Sequence, residues 1–341
     1  MSKTRTTLAE VAGAAGVSVA TVSKVLNDRA DVSAETRRRV LKHLRDSEYR
    51  PAGSGLAQVR ELSRSIEVGV RSLQNAYTIT VLDGITASAP ANGFEVVLGR
   101  ILSSDSGMIN PQALLKSELA GAIFITADAS SPSLKELDEA GFPVVVIDPL
   151  RLGDSKCSSI GATNFTGGVT ATEYLLSLGH RRIGHAAGPH SVDCSHARLA
   201  GYSSALRKAG IELDETLVTH SAFNYDAGRQ IAPDLLDRSD RPTAIFAAND
   251  EIALGIMEEA RRRSIRIPED LSVVGFDDTF VASRASPPLT TVAAPLVEMG
   301  RVATRTLAQM ISNDVVGTRH IELATRLVVR DSTAPPGGGS P

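Results

Sequence analysis

No tryptophan occurs in the 341 residues, and aromatic side chains make up only 4% of the chain. Little ring surface is therefore available for a stacked ligand platform. The only two cysteines, Cys157 and Cys194, exclude a disulfide framework and suit a reducing compartment; both read as ordinary small side chains. No apolar run approaches the roughly 20 residues that cross a bilayer, and the polar N-terminus lacks the apolar core of a secretion signal. The expectation is a cytoplasmic protein with no membrane partner. What is present is ordinary for a globular chain, with 42% hydrophobic and 22% charged residues. The length allows two or three domains, each with its own core.

Charge is unevenly spread. Residues 1–65 carry 12 Lys+Arg against 7 Asp+Glu, whereas the remainder carries 24 against 32. A basic head on an acidic body is the footprint of a nucleic-acid module joined to something else. Within the head, Leu8, Val11, Ala12 and Ala15 fall on one stripe of a short helix. Gly16 supplies a left-handed corner and Val17 plugs it. Ser18 is suited to cap a second helix whose Val22, Val25 and Leu26 face inward. Val19, Ala20, Thr21, Ser23, Lys24 and Asn27 are left outward, a face of short or hydrogen-bonding side chains with one cation. Ser33 can cap a third helix with Val40 and Leu44 inward and its arginines largely outward. Two helices joined by a short glycine-containing turn form a helix-turn-helix, whose second helix enters the major groove. A small helical hairpin with a polar face is the plainer interpretation of the same pattern.

From Ile66 onward short apolar runs alternate with helical stretches. Strand-like runs are 66–70, 94–98, 121–125, 144–147, 183–186, 244–247 and 271–275, with Leu323 and 327–329 near the end. Helices are expected near 76–91, 133–140, 167–178, 196–209, 226–236, 251–263 and 295–311. Such alternation predicts an α/β body, with enough strands for two parallel sheets covered on both faces. Ligands bind off the carboxyl ends of such strands.

The phrases Thr7-Leu8-Ala9-Glu10-Val11-Ala12, Ala15-Gly16-Val17-Ser18, Thr21-Val22-Ser23, Val25-Leu26-Asn27, Val32-Ser33, Thr36-Arg37 and Tyr49-Arg50-Pro51 resemble the head of the lactose/galactose (LacI/GalR) repressors. The body resembles the same family in Leu178-Gly179-His180-Arg181-Arg182-Ile183-Gly184, Arg198-Leu199-Ala200-Gly201-Tyr202, Ala248-Asn249-Asp250-Glu251-Ile252-Ala253 and Val274-Gly275-Phe276-Asp277-Asp278. The similarity covers about residues 5 to 330.

The resemblance implies an all-α helix-turn-helix domain at 1–50, a hinge at 51–65, and a two-lobed, type I periplasmic-binding-protein-like effector domain at 66–330. The chain would cross between lobes near 161, 292 and 320. The N-lobe would then be 66–161 plus 293–320 and the C-lobe 162–292 plus 321–330. The Pro/Gly/Ser-rich tail, 331–341, reads as disordered. DNA contacts fall by the same resemblance on Thr7, Ser18, Val19, Ala20, Thr21, Ser23, Lys24, Asn27, Ser33 and Tyr49. The family's hinge wedges a leucine into the minor groove, whereas here Gln58 stands at that place and Leu56 two residues earlier. Gly53 and Gly55 each cost a hinge helix about 1 kcal/mol relative to Ala.

Carried over by position, the effector residues are Arg198, Phe223, Asn249 and Asp277, with Asn75, Tyr77 and Asp148 on the N-lobe side. Carboxylate, amide and guanidinium groups supply the planar donors and acceptors that vicinal hydroxyls need. Two departures from the family, Thr163 before Asn164 and Ala294 after Val292, would each remove a polar group near the cleft. The implied effector is a sugar or related metabolite. The implied assembly is a homodimer on double-stranded operator DNA, since no leucine-heptad extension follows the last strand.

Other chemistries fit less well. His180, His185, His190 and His196 with Asp193 and Cys194 match no zinc spacing, so no metal is expected. Asp277 and Asp278 are adjacent on a strand and point to opposite faces. Gly184 to Gly188 is not a dinucleotide fingerprint, and no serine sits in a nucleophile elbow. No cofactor is expected. An α/β enzyme would have no use for the head, and a transported-sugar receptor would need a secretion signal.

Overall fold

The computed structural model describes residues 7–26, 29, 32–46, 64–100, 109–153, 156–312 and 320–337. Asn27, Tyr49, Leu56, Gln58 and the hinge expectation at 51–63 lie outside the described residues.

The head is three helices, α1 (Leu8–Ala15), α2 (Val19–Leu26) and α3 (Ala34–Asp46). Thr7 and Glu10 close a reciprocal capping box at the start of α1. Gly16 ends that helix in the left-handed conformation, at φ 64 and ψ 38. Val11, Ala12, Ala15, Val22, Val25, Val40 and Leu44 form the core, with Val17 packed against it. The inward stripe expected from periodicity is therefore the stripe observed, Leu26's side chain lying outside the described residues.

The body contains two six-stranded sheets. The first runs β11-β5-β4-β3-β1-β2, built from β1 (Ser65–Val70), β2 (Glu95–Arg100), β3 (Gly121–Ile125), β4 (Val144–Ile147), β5 (Ser158–Ala162) and β11 (His320–Leu323). All its pairings are parallel. The second runs β12-β10-β9-β8-β6-β7, from β6 (Ile183–Ala187), β7 (Val218–His220), β8 (Ala244–Ala247), β9 (Ser272–Asp277), β10 (Thr290–Ala293) and β12 (Arg326–Val328). Only β10–β12 is antiparallel there. Central strands such as β3, β4 and β8 are buried along their whole length, as parallel strands sandwiched between helices must be.

The helices of the body are α4 (Ala76–Ser88), α5 (Pro111–Lys116), α6 (Pro132–Glu139), α7 (Asn164–Ser177), α8 (Asp193–Lys208), α9 (Tyr225–Leu236), α10 (Asp250–Arg262), α11 (Phe280–Arg284) and α12 (Leu296–Ile311). Three pairs touch backbone to backbone through facing glycines. A Cβ on Gly84 of α4 would lie 2.0 Å from Val297 O, and one on Gly300 of α12 would lie 2.4 Å from Val81 O. The same reciprocal arrangement joins α7 to α8 through Gly168 and Gly201, and α9 to α10 through Gly228 and Gly255.

Two boundary expectations need correction. Residues 320–323 pair with β5 in the first sheet, so the third crossing lies at 324–325 rather than near 320. Thr163 ties that crossing to the first one: its N–H donates to Leu323 O at 3.0 Å and its Oγ1 accepts from the Thr325 N–H at 3.0 Å. The tail is also not disordered from 331. Ser332 is fully buried, accepts from the Thr290 N–H at 2.8 Å and donates to Val273 O at 2.6 Å. Pro/Gly/Ser composition pointed to disorder there, but these bonds satisfy strand groups that burial would otherwise leave unpaired.

Candidate functional site

On the head, Val19 is 46% exposed, and Ala20, Ser23 and Lys24 are also exposed, with Thr21 half-buried. The side chains expected to meet DNA thus share the solvent face of α2. Thr7, Ser18 and Ser33 do local work as well. Thr7 closes the capping box, Ser18 Oγ accepts from the Thr21 N–H at 3.1 Å, and Ser33 Oγ accepts from the Thr36 N–H at 3.2 Å. Capping places each of these hydroxyls at a helix N-terminus, where the backbone also favours an anion such as phosphate.

Between the carboxyl ends of the two sheets lies a cavity of about 400 Å³. All seven residues singled out in the body line it: Asn75, Tyr77 and Asp148 from the first lobe, and Arg198, Phe223, Asn249 and Asp277 from the second. Strand-to-helix order explains the convergence. Asn75 follows β1 and caps α4, accepting from the Thr78 N–H at 2.8 Å, while Asn249 follows β8 and caps α10, accepting from the Ile252 N–H at 2.9 Å. Each amide spends its oxygen on its own helix and keeps its NH₂ group for a ligand acceptor. Thr126, Asp148 and Asp277 end β3, β4 and β9 with positive φ of 55°, 43° and 103°. Such strained strand ends persist where the surrounding structure holds a side chain in a particular direction.

Arg198 is the electrostatic centre of the C-lobe wall. Its Nε donates to Asn164 Oδ1 at 2.8 Å, Nη1 donates to Ala248 O, and Nη2 donates to Asp277 Oδ1 at 3.5 Å. Its guanidinium carbon lies 3.7 Å from the centre of the Phe276 ring, a cation–π contact, and 6.0 Å from that of Phe223. Burial pushes the Asp277 carboxyl well above the ordinary carboxylate range; Arg198 opposes this, and Asp250 and Asp148 reinforce it. Asp250, holding Thr279 and Thr291 by three hydrogen bonds, is pushed up to about 7 by its burial. On the opposite wall Tyr77 donates its hydroxyl to Asp148 at 2.5 Å. Desolvation raises both groups, most strongly the phenol, which also faces the negative field of Asp148.

Sequence reasoning missed several cavity residues. Asp250 and Glu251 stand directly after Asn249 in a quoted phrase, and Thr126 sits at a strand end; both positions were signals. Cys194 also lines the cavity, in the first turn of α8, with its thiol pushed up to about 12 by burial. The two departures from the family act elsewhere than expected. Neither Thr163 nor Ala294 is among the residues lining the cavity; each sits in a crossing, Thr163 bonded to Thr325 and Ala294 donating its N–H to Asp277 O at 3.2 Å. Asp278 turns away to Arg330 at 2.5 Å, so it forms no carboxylate pair with Asp277.

The histidine-rich stretch resolves into separate roles. His180 bonds Thr243, Ser272 and the tail carbonyl of Ala334. His185 is buried, stacks between Tyr202 and Phe246, and is pushed down to about 4 by desolvation. His190 stacks on His220 with ring centroids 3.4 Å apart. Among the described residues no group of three or more His, Cys, Asp or Glu side chains is arranged to hold a metal ion. Nor is any single helix among them long and apolar enough to cross a membrane.

Comparison with known proteins agrees with this architecture. Residues 7–52 match the description "Bacterial regulatory proteins, lacI family", and residues 172–333 match "Periplasmic binding protein-like domain". The HTH-type transcriptional regulator DegA of Bacillus subtilis (strain 168) is 34% identical, over 97% of this chain and 99% of its own length. Among solved structures, a transcriptional regulator CelR–cellobiose complex aligns with TM-score 0.73 at 33% identity, covering 96% of this chain and 100% of that one. A lac repressor dimer bound to operator and the anti-inducer ONPF aligns with TM-score 0.72 at 28% identity, covering 97% and 100%. A basic helix-turn-helix joined to a two-lobed body with a polar cavity, and relatives matching end to end, lead to one conclusion: the chain belongs to the LacI family of bacterial regulatory proteins and is a DNA-binding transcriptional regulator.

Proposed function

We propose that this regulator is a cytoplasmic repressor that acts as a homodimer on a pseudo-palindromic operator, releasing or gripping it according to a small polar effector in the cleft. The observation that carries this reading is the cavity itself, about 400 Å³ between the strand ends of two lobes and lined from both sides by hydrogen-bonding side chains. Its size falls within the roughly 300–1,000 Å³ of small-molecule sites. The CelR–cellobiose relative supports a sugar or related metabolite as the effector class. Asn75, Tyr77 and Asp148 would meet one edge of it, and Arg198, Asn249 and Asp277 the other, with Phe223 over its apolar face. No reacting group is assigned to the cleft; the role is binding, not turnover.

On DNA, Val19, Ala20 and Lys24 would read base edges, while Thr7, Ser18, Thr21, Ser23 and Ser33, with Asn27, Tyr49 and one of Leu56 or Gln58 beyond the described residues, would fix position on the backbone and in the minor groove. Half-sites should lie about one helical turn apart. Selection of bound sequences from a random duplex pool, then a metabolite screen for altered affinity to the winner, tests both halves. Absence of any enriched site, or an affinity that no sugar or metabolite changes, refutes the corresponding half. Lys24→Ala should cost about 1–3 kcal/mol at one base pair if Lys24 holds a guanine edge. A uniform loss across sequences would assign it to phosphate.

A further inference from the structure

Besides the three crossings, the lobes are joined across the cleft, among the described residues, by hydrogen bonds at two separate places. The first links the segments after β1 and β8. The N–H of Ala76, first residue of α4, donates to Glu251 Oε1 at 3.1 Å. Asn75 already serves the Thr78 N–H of that helix, so a carboxylate from the other lobe completes the helix terminus. The α4 dipole favours it, and the bond is charge-assisted. Burial lifts the Glu251 carboxyl above its ordinary value, and the Ala76 N–H draws it back.

The second links the segments after β4 and β6. Asp193, first residue of α8, donates its own N–H to Leu150 O at 2.9 Å and accepts the Leu152 N–H on Oδ2 at 2.8 Å. No side chain caps α8, so the Asp193 carboxylate is spent across the cleft instead of on its own helix. The 150–152 strand of chain is itself anchored. Leu150 N–H donates to Ala127 O at 2.9 Å, Ala129 N–H donates to Arg151 O at 3.0 Å, and Arg151 Nε donates to Asp128 at 3.0 Å. A pull on Asp193 is therefore borne by the loops after both β3 and β4.

We infer that Glu251 and Asp193 are positioning residues that fasten the two lobes together, each lending a carboxylate from the N-terminus of a C-lobe helix to backbone N–H groups of the N-lobe. They are paired with different strands, so together they resist twisting as well as hinge opening. The consequence for effector control rests on the cleft reading proposed above; the fastening itself is independent of any ligand and is tested without one.

The experiment uses the full chain and the variants Glu251→Ala, Glu251→Gln, Asp193→Ala, Asp193→Asn and the double Ala variant. Amide hydrogen exchange is followed at 76–80 and 150–153, with small-angle scattering for lobe separation and dichroism to confirm folding. Glu251→Ala should speed exchange at 76–80 about tenfold, and Asp193→Ala should do the same at 150–153, as expected for losing a charged hydrogen bond. Glu251→Gln and Asp193→Asn keep a carbonyl acceptor and should recover most of the protection. The double Ala variant should widen the scattering envelope. Equal exchange in the Ala and amide variants, or an unchanged double variant, overturns the inference. Failure of every metabolite screen would instead count against the cleft reading and leave these measurements as they are.

Discussion

On the C-lobe wall of the cleft, Arg198 spends its guanidinium on Asn164, Ala248 and Asp277 and lies over Phe276, so four residues from three parts of the lobe fix one side chain. On the N-lobe wall, Tyr77 and Asp148 hold each other by one hydrogen bond, and Asp148 is steadied by the Ala162 backbone. The charged group of the first wall is held by more ties than the Tyr77–Asp148 pair of the second. Binding against a preorganised wall keeps down the cost of ordering side chains, whereas the looser wall is where a ligand can change the protein.

The most damaging way to break this contrast is Arg198→Ala. It strands the Asp277 carboxyl in the interior, and the expected loss is about 3–5 kcal/mol in urea unfolding of the body. A loss below about 1 kcal/mol would mean that the C-lobe wall is not organised around that residue. Next in size is Tyr77→Phe, which removes a hydrogen bond to a carboxylate at a cost of about 1.5–3 kcal/mol, with the C-lobe wall unaltered by NMR shift mapping. Shifts spreading through the Arg198 contacts would show that the walls are not separate. A paired test then asks where the lobes are alike. Gly201→Ala in the C-lobe and Gly300→Ala in the N-lobe each drive a methyl to within 2.3–2.4 Å of a backbone oxygen, Phe165 O and Val81 O. Each should destabilise by about 1–3 kcal/mol; a harmless change in only one of them would locate the softer lobe.

The smallest net effect concerns pH, because two C-lobe groups oppose each other. His185, pushed down to about 4, contributes stability that is present above 6.5 and is lost as pH falls through 4. Asp250, pushed up to about 7, contributes stability that is present below its unfolded value of 3.8 and is lost as pH rises through 7. Guanidinium unfolding across pH 4 to 7 should therefore be steeper in pH for Asp250→Asn, with stability rising more sharply. His185→Gln should reverse the slope. Identical slopes in both variants would show that neither proton is carried where its burial places it.

The α1–α2 turn was legible because a left-handed glycine, two caps and an apolar stripe each point to the same geometry, and local signals of that kind do not depend on distant contacts. Wholly apolar, fully buried strands such as β3, β4 and β8 were legible for the same reason. Weak elements were not. β5 is Ser-Ser-Ile-Gly-Ala, β7 is three residues long, and β11 alternates exposed and half-buried positions, so each becomes a strand only through its neighbour. The seven cleft residues were assigned by position within a family resemblance, not because spacing dictated it; that Asn75 and Asn249 also cap helices emerged only from the structure. The place of Cys194 in the cavity and the bond of Glu251 to the other lobe were invisible, since both depend on how the lobes meet.

The facing glycines of α7 and α8 carry a mechanical consequence. A Cβ on Gly168 would stand 2.3 Å from the carbonyl oxygen of Arg198, so α7 rides on the backbone of the residue whose guanidinium faces the cavity. The same arginine grips Asn164, the first residue of α7, one step past Thr163. Cavity and crossing are therefore joined through one residue, by its backbone at Gly168 and by its side chain at Asn164. A displacement of Arg198 would act on the start of α7 and on the crossing beside it together.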